Sequence, residues 1–363
     1  MEDKLAENHF AYNYLDPLDL GSMAGGDSLF LKLVDTPAFQ RLKYIRFLGA
    51  IDYALVPAPN GHKGNSRYTR YQHSLEVARL ALLYARERGI AFPDHRPLYV
   101  AALLHDIGHA PLSHSLEPVF QELFGLEHHR VTQDIITNRV PIGAALYKLL
   151  REYGMDIDRI VELICGNDPS FDDFFAGPIN FDTIEGILRS QTYIKPKRIS
   201  ISPERVTIAA LWRSNNDDRD IVDEFWSYKD RIYRYVINSQ IGVLADYACQ
   251  HYMRRHLVHI SPKDYFATEG QLFRKMPGLR ELLKSPSFST SMLKLIDRPI
   301  AFTARKFYID PNCDFFSRDD RGRYRQRRER GMLAPQDVRL NGPDELKRDL
   351  FDDDRLRAQQ AIF

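Results

Sequence analysis

Cysteine is scarce in this chain of 363 residues: Cys165, Cys249 and Cys313 are the only three, far apart and outside any CxxC pattern. An odd, scattered set excludes a disulfide framework or a thiolate zinc site and points to a reducing compartment. Net charge is nearly absent, since 50 Lys and Arg meet 49 Asp and Glu. Global electrostatics therefore offers no attraction to nucleic acid or to a membrane surface. No apolar run reaches the length needed to span a bilayer. The first residues, Met1-Glu-Asp-Lys-Leu-Ala-Glu-Asn-His9, are polar and acidic, unlike a secretory signal. A cytoplasmic location is the expectation, with no membrane partner. Strand signals are few, and there is no repeat of fixed period and no low-complexity tract.

What is present reads as helix. Hydrophobic residues make up 44% and charged residues 27%, the balance of a globular protein. Between His73 and Arg88, Leu75, Ala78, Leu82 and Ala85 recur at three- and four-residue steps, and Gly89 marks a stop. Pro97 to Asp106 forms a second helix, closed by Gly108 and Pro111. Further helices are expected at 117–124, 130–137, 143–153, 157–165, 182–189 and 203–213, and a long one at about 220–254. Ala54-Leu-Val-Pro57 and Phe307-Tyr-Ile-Asp-Pro311 are the better strand candidates, each stopped by proline. The expected fold is mostly α: an N-terminal segment at 1–27, a helical core at 28–260 and a small α+β extension at 261–363. Ser317 to Arg330 carries seven arginines against three acids, and Asp344 to Arg357 six acids against four bases. Both read as solvated, partly mobile tail. A phosphate-attracting basic strip is the lesser alternative for the first.

The segment that carries chemistry is Ala101-Ala-Leu-Leu-His-Asp-Ile-Gly-His-Ala-Pro-Leu-Ser-His114. An apolar helix buries its sides and delivers His105 and Asp106 at its tip. Imidazole nitrogen beside carboxylate oxygen suits a divalent ion of borderline or hard character, such as zinc, iron, manganese, nickel or magnesium. A lone His-Asp pair is more often a hydrogen-bonded pair, so three other segments matter. Tyr71-Gln-His73 opens the first long helix, Glu127-His128-His129 precedes another, and Asp182 stands where a helix begins. Taken alone, Asp182 would be a helix cap and His73 a half-buried histidine.

In this order and with these surroundings, the residues resemble the HD superfamily of metal-dependent phosphohydrolases, whose pattern is His, then His-Asp, then Asp. Asp35 to Gly49, His105 to His114 and Arg305 to Pro311 are similar to segments of the dGTPase-like deoxynucleoside triphosphate triphosphohydrolases. The resemblance implies one divalent ion held by His73, His105, Asp106 and Asp182, a phosphorylated substrate such as a nucleotide, and assembly into homo-oligomers. It implies phosphate-orienting and proton-transfer roles for His109, His114 and His128, with Glu117 holding a histidine tautomer. Arg70, Leu48, Tyr233 and Arg189 fall at substrate-binding positions, Arg70 as a phosphate clamp. His62, His95, His251, His256 and His259 have no such context.

The chain departs from that family where substrate is read. Phe47 replaces a sugar-reading Gln, Thr183 and Gly186 stand for a Lys and a Tyr, and Ser190 replaces an Asp. Tyr235 and Val236 stand where a His-Lys pair contacts phosphate. Asp35 and Gln40 match a regulatory-site pattern in which Lys43 replaces an Arg. The metal chemistry is retained and the substrate altered. The alternatives are a phosphomonoesterase or phosphodiesterase on another metabolite, and an idle nucleotide-binding protein.

Overall fold

The computed structural model describes residues 16–54, 68–92, 94–168, 171, 175, 177–194, 201–212, 216–285, 287–313 and 322–339. The fold is mostly α-helical, with one two-stranded antiparallel sheet among these residues. Among them, no helix is long and apolar enough to cross a membrane.

Two helices form the frame of the centre. Arg70–Glu87 starts at a capping box, in which the Thr69 and Gln72 side chains reciprocally bond the backbone. Its first turn contains His73. Tyr71, Leu75, Val77, Ala78, Leu80, Ala81 and Tyr84 are buried around most of its circumference, as expected of a helix inside a core rather than on its surface. Arg96–Leu104 packs against it, with every residue from Leu98 to Leu104 sealed from solvent. Lining that helix with apolar residues on all sides leaves its C-terminal tip as the place where His105 and Asp106 emerge.

Around this pair lie Glu117–Phe124, His128–Ile136, Ala144–Glu152, Ile157–Cys165, Phe181–Ile194 and Pro203–Trp212. The helices read from the sequence in this stretch are thus present, with ends moved by a few residues; Phe181–Ile194 runs a full turn beyond the expected 189. The expected long helix at 220–254 is instead two helices, Asn216–Ile232 and Gln240–Arg255, joined through a π turn at Tyr233–Ile237. The second one starts afresh because Ser239 Oγ accepts from the Gly242 amide at 3.0 Å. A Cβ at Gly242 would lie 2.4 Å from the Val236 carbonyl oxygen, so only glycine permits the two helices to approach so closely.

Short helices at Ser28–Val34, Glu269–Lys275 and Pro277–Lys284 extend the helical set on both sides. Among the described residues, the main apolar cluster runs from Leu20 to Val338, and a smaller one gathers around Trp226. The sheet pairs Ile300–Ile309 with Tyr324–Leu333, Ile309 opposite Tyr324 and Ile300 opposite Leu333. Phe307-Tyr-Ile is therefore strand, as its pattern indicates. The Arg-rich stretch is corrected in part: residues 324–330 belong to the second strand and are not a mobile tail, whereas 317–321 lie outside the described residues. Tyr324 and Phe307 bury themselves against Trp226, and that anchor orders the strand while most of its arginines stay exposed. Of the Ala54–Pro57 strand candidate, Ala54 ends the helix Ile51–Ala54; the rest, His62 and the acidic stretch 344–357 lie outside the described residues.

The loop after Asp106 is held tightly against the His128–Ile136 helix. Gly108 donates its amide to Thr132 Oγ1 at 3.0 Å, and Thr132 Oγ1 donates to the His105 carbonyl at 3.2 Å. A Cβ on Gly108 would sit 2.3 Å from the His128 carbonyl oxygen and 2.4 Å from the Thr132 nitrogen. Gly108→Ala should therefore lower unfolding free energy by about 1–3 kcal/mol, the usual cost of overpacking. Urea denaturation checks this, and an unchanged midpoint would contradict the close approach.

Candidate metal centre

Three segments bring four candidate ligands together. His73 Nε2 lies 3.0 Å from Asp182 Oδ1 and 3.3 Å from His105 Nε2. Asp106 lies 3.5 Å from His73 Nε2 through Oδ2 and 3.5 Å from His105 Nε2 through Oδ1. N and O donors about 2.1 Å from a shared ion would stand roughly 3.0–3.4 Å apart; His73, His105 and Asp106 are close to that spacing and could hold one divalent cation, with Asp182 adjoining at 3.0 Å from His73 Nε2 and 3.8 Å from His105 Nε2.

The tautomers support the same fit. His105 Nδ1 is 2.7 Å from the Ala102 carbonyl, which can only accept, so the proton sits on Nδ1. His73 Nδ1 contacts the Glu185 carboxylate, which likewise takes a donated proton. Each Nε2 then needs a positive charge facing it: a proton that His73 shares with Asp182, or a metal ion between the two rings. Asp106, Asp182 and Glu185 supply three carboxylates nearby, against the two guanidiniums of Arg70 and Arg189. Burial opposes charging of His73, yet Glu185, Asp182 and Asp106 push its pKa up to about 9. Burial also opposes ionisation of Asp106, but His105, Arg70 and His109 hold its carboxyl well below the usual range. The pocket recruits a cation, and its donor set fits a metal.

A second group adjoins the first. His109 Nε2 is 3.1 Å from Asp106 Oδ1, without the alignment of a hydrogen bond. Its ring stacks on His128, with centroids 4.4 Å apart and planes 8° from parallel, and meets His114 edge-on at 4.8 Å. Glu117 joins the set: its Oε1 accepts from His128 Nδ1 at 2.8 Å and its Oε2 from His114 Nδ1 at 3.1 Å. One carboxylate thus holds two imidazoles with Nδ1 protonated and Nε2 free. Burial opposes ionisation of Glu117, but His114 and His128 keep it well below the ordinary carboxylate range. His114 returns toward His109 because Leu112 and Ser113 adopt φ of 61° and 46°, left-handed values that each cost about 1–3 kcal/mol without glycine. The turn is secured by Leu112 N donating to Glu269 Oε1 at 3.2 Å and Ser113 Oγ to the Arg46 carbonyl at 3.0 Å.

The expected substrate contacts are placed unevenly. Arg70 is buried, with Nη1 donating to Asp106 Oδ2 at 2.7 Å and Nε to Ser113 Oγ at 3.1 Å. Its guanidinium serves a candidate ligand first. Arg189 is also buried, and its Nε donates to Glu185 Oε1 at 2.7 Å. Leu48 is half-buried, with its amide on Asp52 Oδ2 at 2.9 Å. Tyr233 packs on Phe307 and accepts from Arg305 Nη1 at 3.3 Å. Phe47 lies against the His73 ring, centroids 4.9 Å apart.

Two residues had no role from sequence reading. Glu185 orients His73, and its signal was in the chain: it stands three residues after Asp182, on the same face of one helix. Lys229 left no such signal. It is buried, donates to the Pro178 carbonyl at 2.7 Å, and lies over the Trp226 and Phe307 rings. Burial lowers its pKa to about 8, with Asp182 opposing and Arg305 reinforcing the shift.

With this geometry in view, the similarity to known proteins has a structural meaning. The HD domain family matches residues 70–166, the span from the His73 helix through the His105-Asp106 tip to the end of Ile157–Cys165. Chicken deoxynucleoside triphosphate triphosphohydrolase SAMHD1 is 27% identical over 147 residues, 38% of this chain and 22% of that protein. The human SAMHD1 protein is 36% identical over 99 residues, 25% and 14% respectively. An uncharacterised Bacillus subtilis protein, YwfO, is 31% identical over 140 residues, 37% and 30%. The matched region spans less than a third of the length of each of these relatives. Residues 70–166 thus match the HD domain family, and the chain is similar, at modest identity and over part of its length, to deoxynucleoside triphosphate triphosphohydrolases.

Glu185→Gln removes the charge that fixes the His73 ring while keeping its size. Loss of such an outer partner typically costs about 10–100-fold in metal affinity, and that drop is expected here with the helical circular dichroism retained. Competition with a metallochromic chelator measures it; unaltered affinity would mean His73 is oriented by other contacts.

Proposed function

We propose that the chain is a metal-dependent phosphohydrolase acting on a nucleotide, with dNTPase-like architecture and altered substrate contacts. The observation that carries the reading is the convergence of four ligand-type side chains beside three clustered histidines, two of them oriented by Glu117. In this reading His73, His105, Asp106 and Asp182 hold one divalent ion within a helical core at 28–260. When bound, such an ion lowers the pKa of a coordinated water toward about 7 and draws charge from phosphoryl oxygens.

The chain's own groups do the rest. His73 and His105 present Nε2 lone pairs because Glu185 and Ala102 occupy their other nitrogens. His109, His114 and His128 orient phosphate oxygens and move protons, and Glu117 fixes the last two through Nδ1. Arg70 steadies Asp106 and offers its remaining edge to phosphate; Leu48, Tyr233 and Arg189 shape the substrate side. Phosphoryl transfer relies chiefly on positioning and charge neutralisation, which suits such a rigid cluster. The odd, scattered cysteines of the sequence fit a reducing, cytoplasmic setting, which belongs to the same reading. Homo-oligomeric assembly, as the resemblance implies, belongs to the same reading.

A second enzymatic reading, a phosphoesterase on another phosphorylated metabolite, is favoured by one observation. The guanidiniums of Arg70 and Arg189 are committed to Asp106 and Glu185, and a triphosphate leaving water needs several cationic partners. A panel of dNTPs, NTPs, monophosphates, cyclic nucleotides and a generic phosphoester, run with manganese and with magnesium, separates the two.

Glu117→Gln should keep its metal and lose about 10²–10⁴-fold in turnover, the usual worth of general acid–base help. A variant that loses metal instead would move the histidine trio into the ligand set. Phe47, Gly186 and Ser190 leave few groups to read a sugar hydroxyl, so dGTP and GTP should differ by less than about a hundredfold in kcat/KM. A larger preference would show that sugar recognition has passed to other residues.

A further inference from the structure

A groove of about 730 Å³ opens between Arg46, Tyr53 and the two short helices Glu269–Lys275 and Pro277–Lys284. Its volume lies in the range of small-molecule sites. Four cations, Arg46, Arg274, Arg280 and Lys284, line it against a single carboxylate, Glu281. Among the described residues, no carboxylate pairs with Arg274 or Arg280, and both are exposed. Like charges held together in a concave surface repel one another, and an anion relieves that repulsion at every contact.

The floor is aromatic. Tyr53 and Phe273 meet edge-on with centroids 5.3 Å apart, and Arg46 and Lys284 lie 5.3 and 5.8 Å from the Tyr53 ring centre. Behind the floor, Glu269 is buried and accepts from Tyr53 Oη and the Arg46 amide. Those bonds fix the Tyr53 ring and the Arg46 backbone, so the floor is formed before any ligand arrives. A groove with a rigid aromatic base and several guanidiniums at its rim selects planar, multiply charged acceptors, and the arginine fork matches phosphate in particular.

We propose that this groove is a binding site for a multiply charged, phosphorylated small molecule, separate from the metal centre. The two are nonetheless joined through the frame. The Arg46 carbonyl accepts from Ser113 Oγ, Ser113 Oγ accepts from Arg70 Nε, and Arg70 holds Asp106. A ligand that draws Arg46 into the groove would therefore act on the strained turn that presents His114.

Inorganic tripolyphosphate is the probe. Calorimetric titration of the full-length protein, without added divalent metal, is compared with the same titration of Arg274→Glu/Arg280→Glu and of Arg280→Glu/Lys284→Glu. Neither pair touches the metal centre, so both variants should keep the phosphohydrolase rate measured without tripolyphosphate. The proposal expects a saturable binding event in the wild-type chain that weakens by more than about tenfold in both variants, since several charge-assisted contacts are lost. The absence of saturable binding, or an isotherm that both variants preserve, overturns it. The metal-centre reading is untouched by either result, because it is tested by metal content and turnover.

Discussion

Asp106 lies almost sealed inside an apolar helical bundle, and much of the structure answers to that burial. A carboxylate out of water is costly unless paired and hydrogen-bonded. Arg70 pairs with it from the first turn of the neighbouring helix, and His105, His73 and His109 stand within 3.1–3.5 Å. The surrounding imidazoles and the Arg70 guanidinium keep it charged, and the charge is what makes the centre attractive to a cation. Removing Arg70 would take away the guanidinium paired with the buried Asp106 carboxylate and leave it to the imidazoles of His73, His105 and His109.

The scaffold supplies rigidity in proportion. The Arg96–Leu104 helix is apolar on every side so that its tip can carry polar groups without being drawn into solvent. Thr132 locks that tip to the next helix, and Glu269 and Ser113 fix the turn that follows. Apart from the Ala102 carbonyl on His105, each of these orienting groups belongs to an element different from the one it orients: Glu185 to His73, Glu117 to His128, Arg70 to Asp106. The centre is therefore a product of tertiary packing, and no single helix would hold it alone.

That division explains what was legible in the chain. The helices at residues 73–88 and 97–106 could be read directly, because their apolar residues form runs of helical length that end at Gly89 and at Gly108 and Pro111. The four ligand-type residues were legible through a resemblance that includes their neighbours. Pairings between distant residues were not: nothing local ties Lys229 to Pro178, or Arg46 to Ser113. The π turn at Tyr233–Ile237 was hidden because an apolar pattern continues across it, and the break depends on Ser239 and on the close approach at Gly242. The arginine-rich stretch misled for a similar reason. Its composition resembles a solvated tail, whereas Tyr324 and Phe307, 17 positions earlier in the chain, both pack on Trp226 and anchor it as a strand.

The central claim is that one divalent ion sits among His73, His105, Asp106 and Asp182. Anomalous diffraction from crystals soaked in manganese or zinc locates such an ion directly. The account predicts a single strong peak about 2.0–2.3 Å from both Nε2 atoms and from an oxygen of each aspartate. A peak seated instead among His109, His114, Glu117 and His128, with the first group empty, would contradict it.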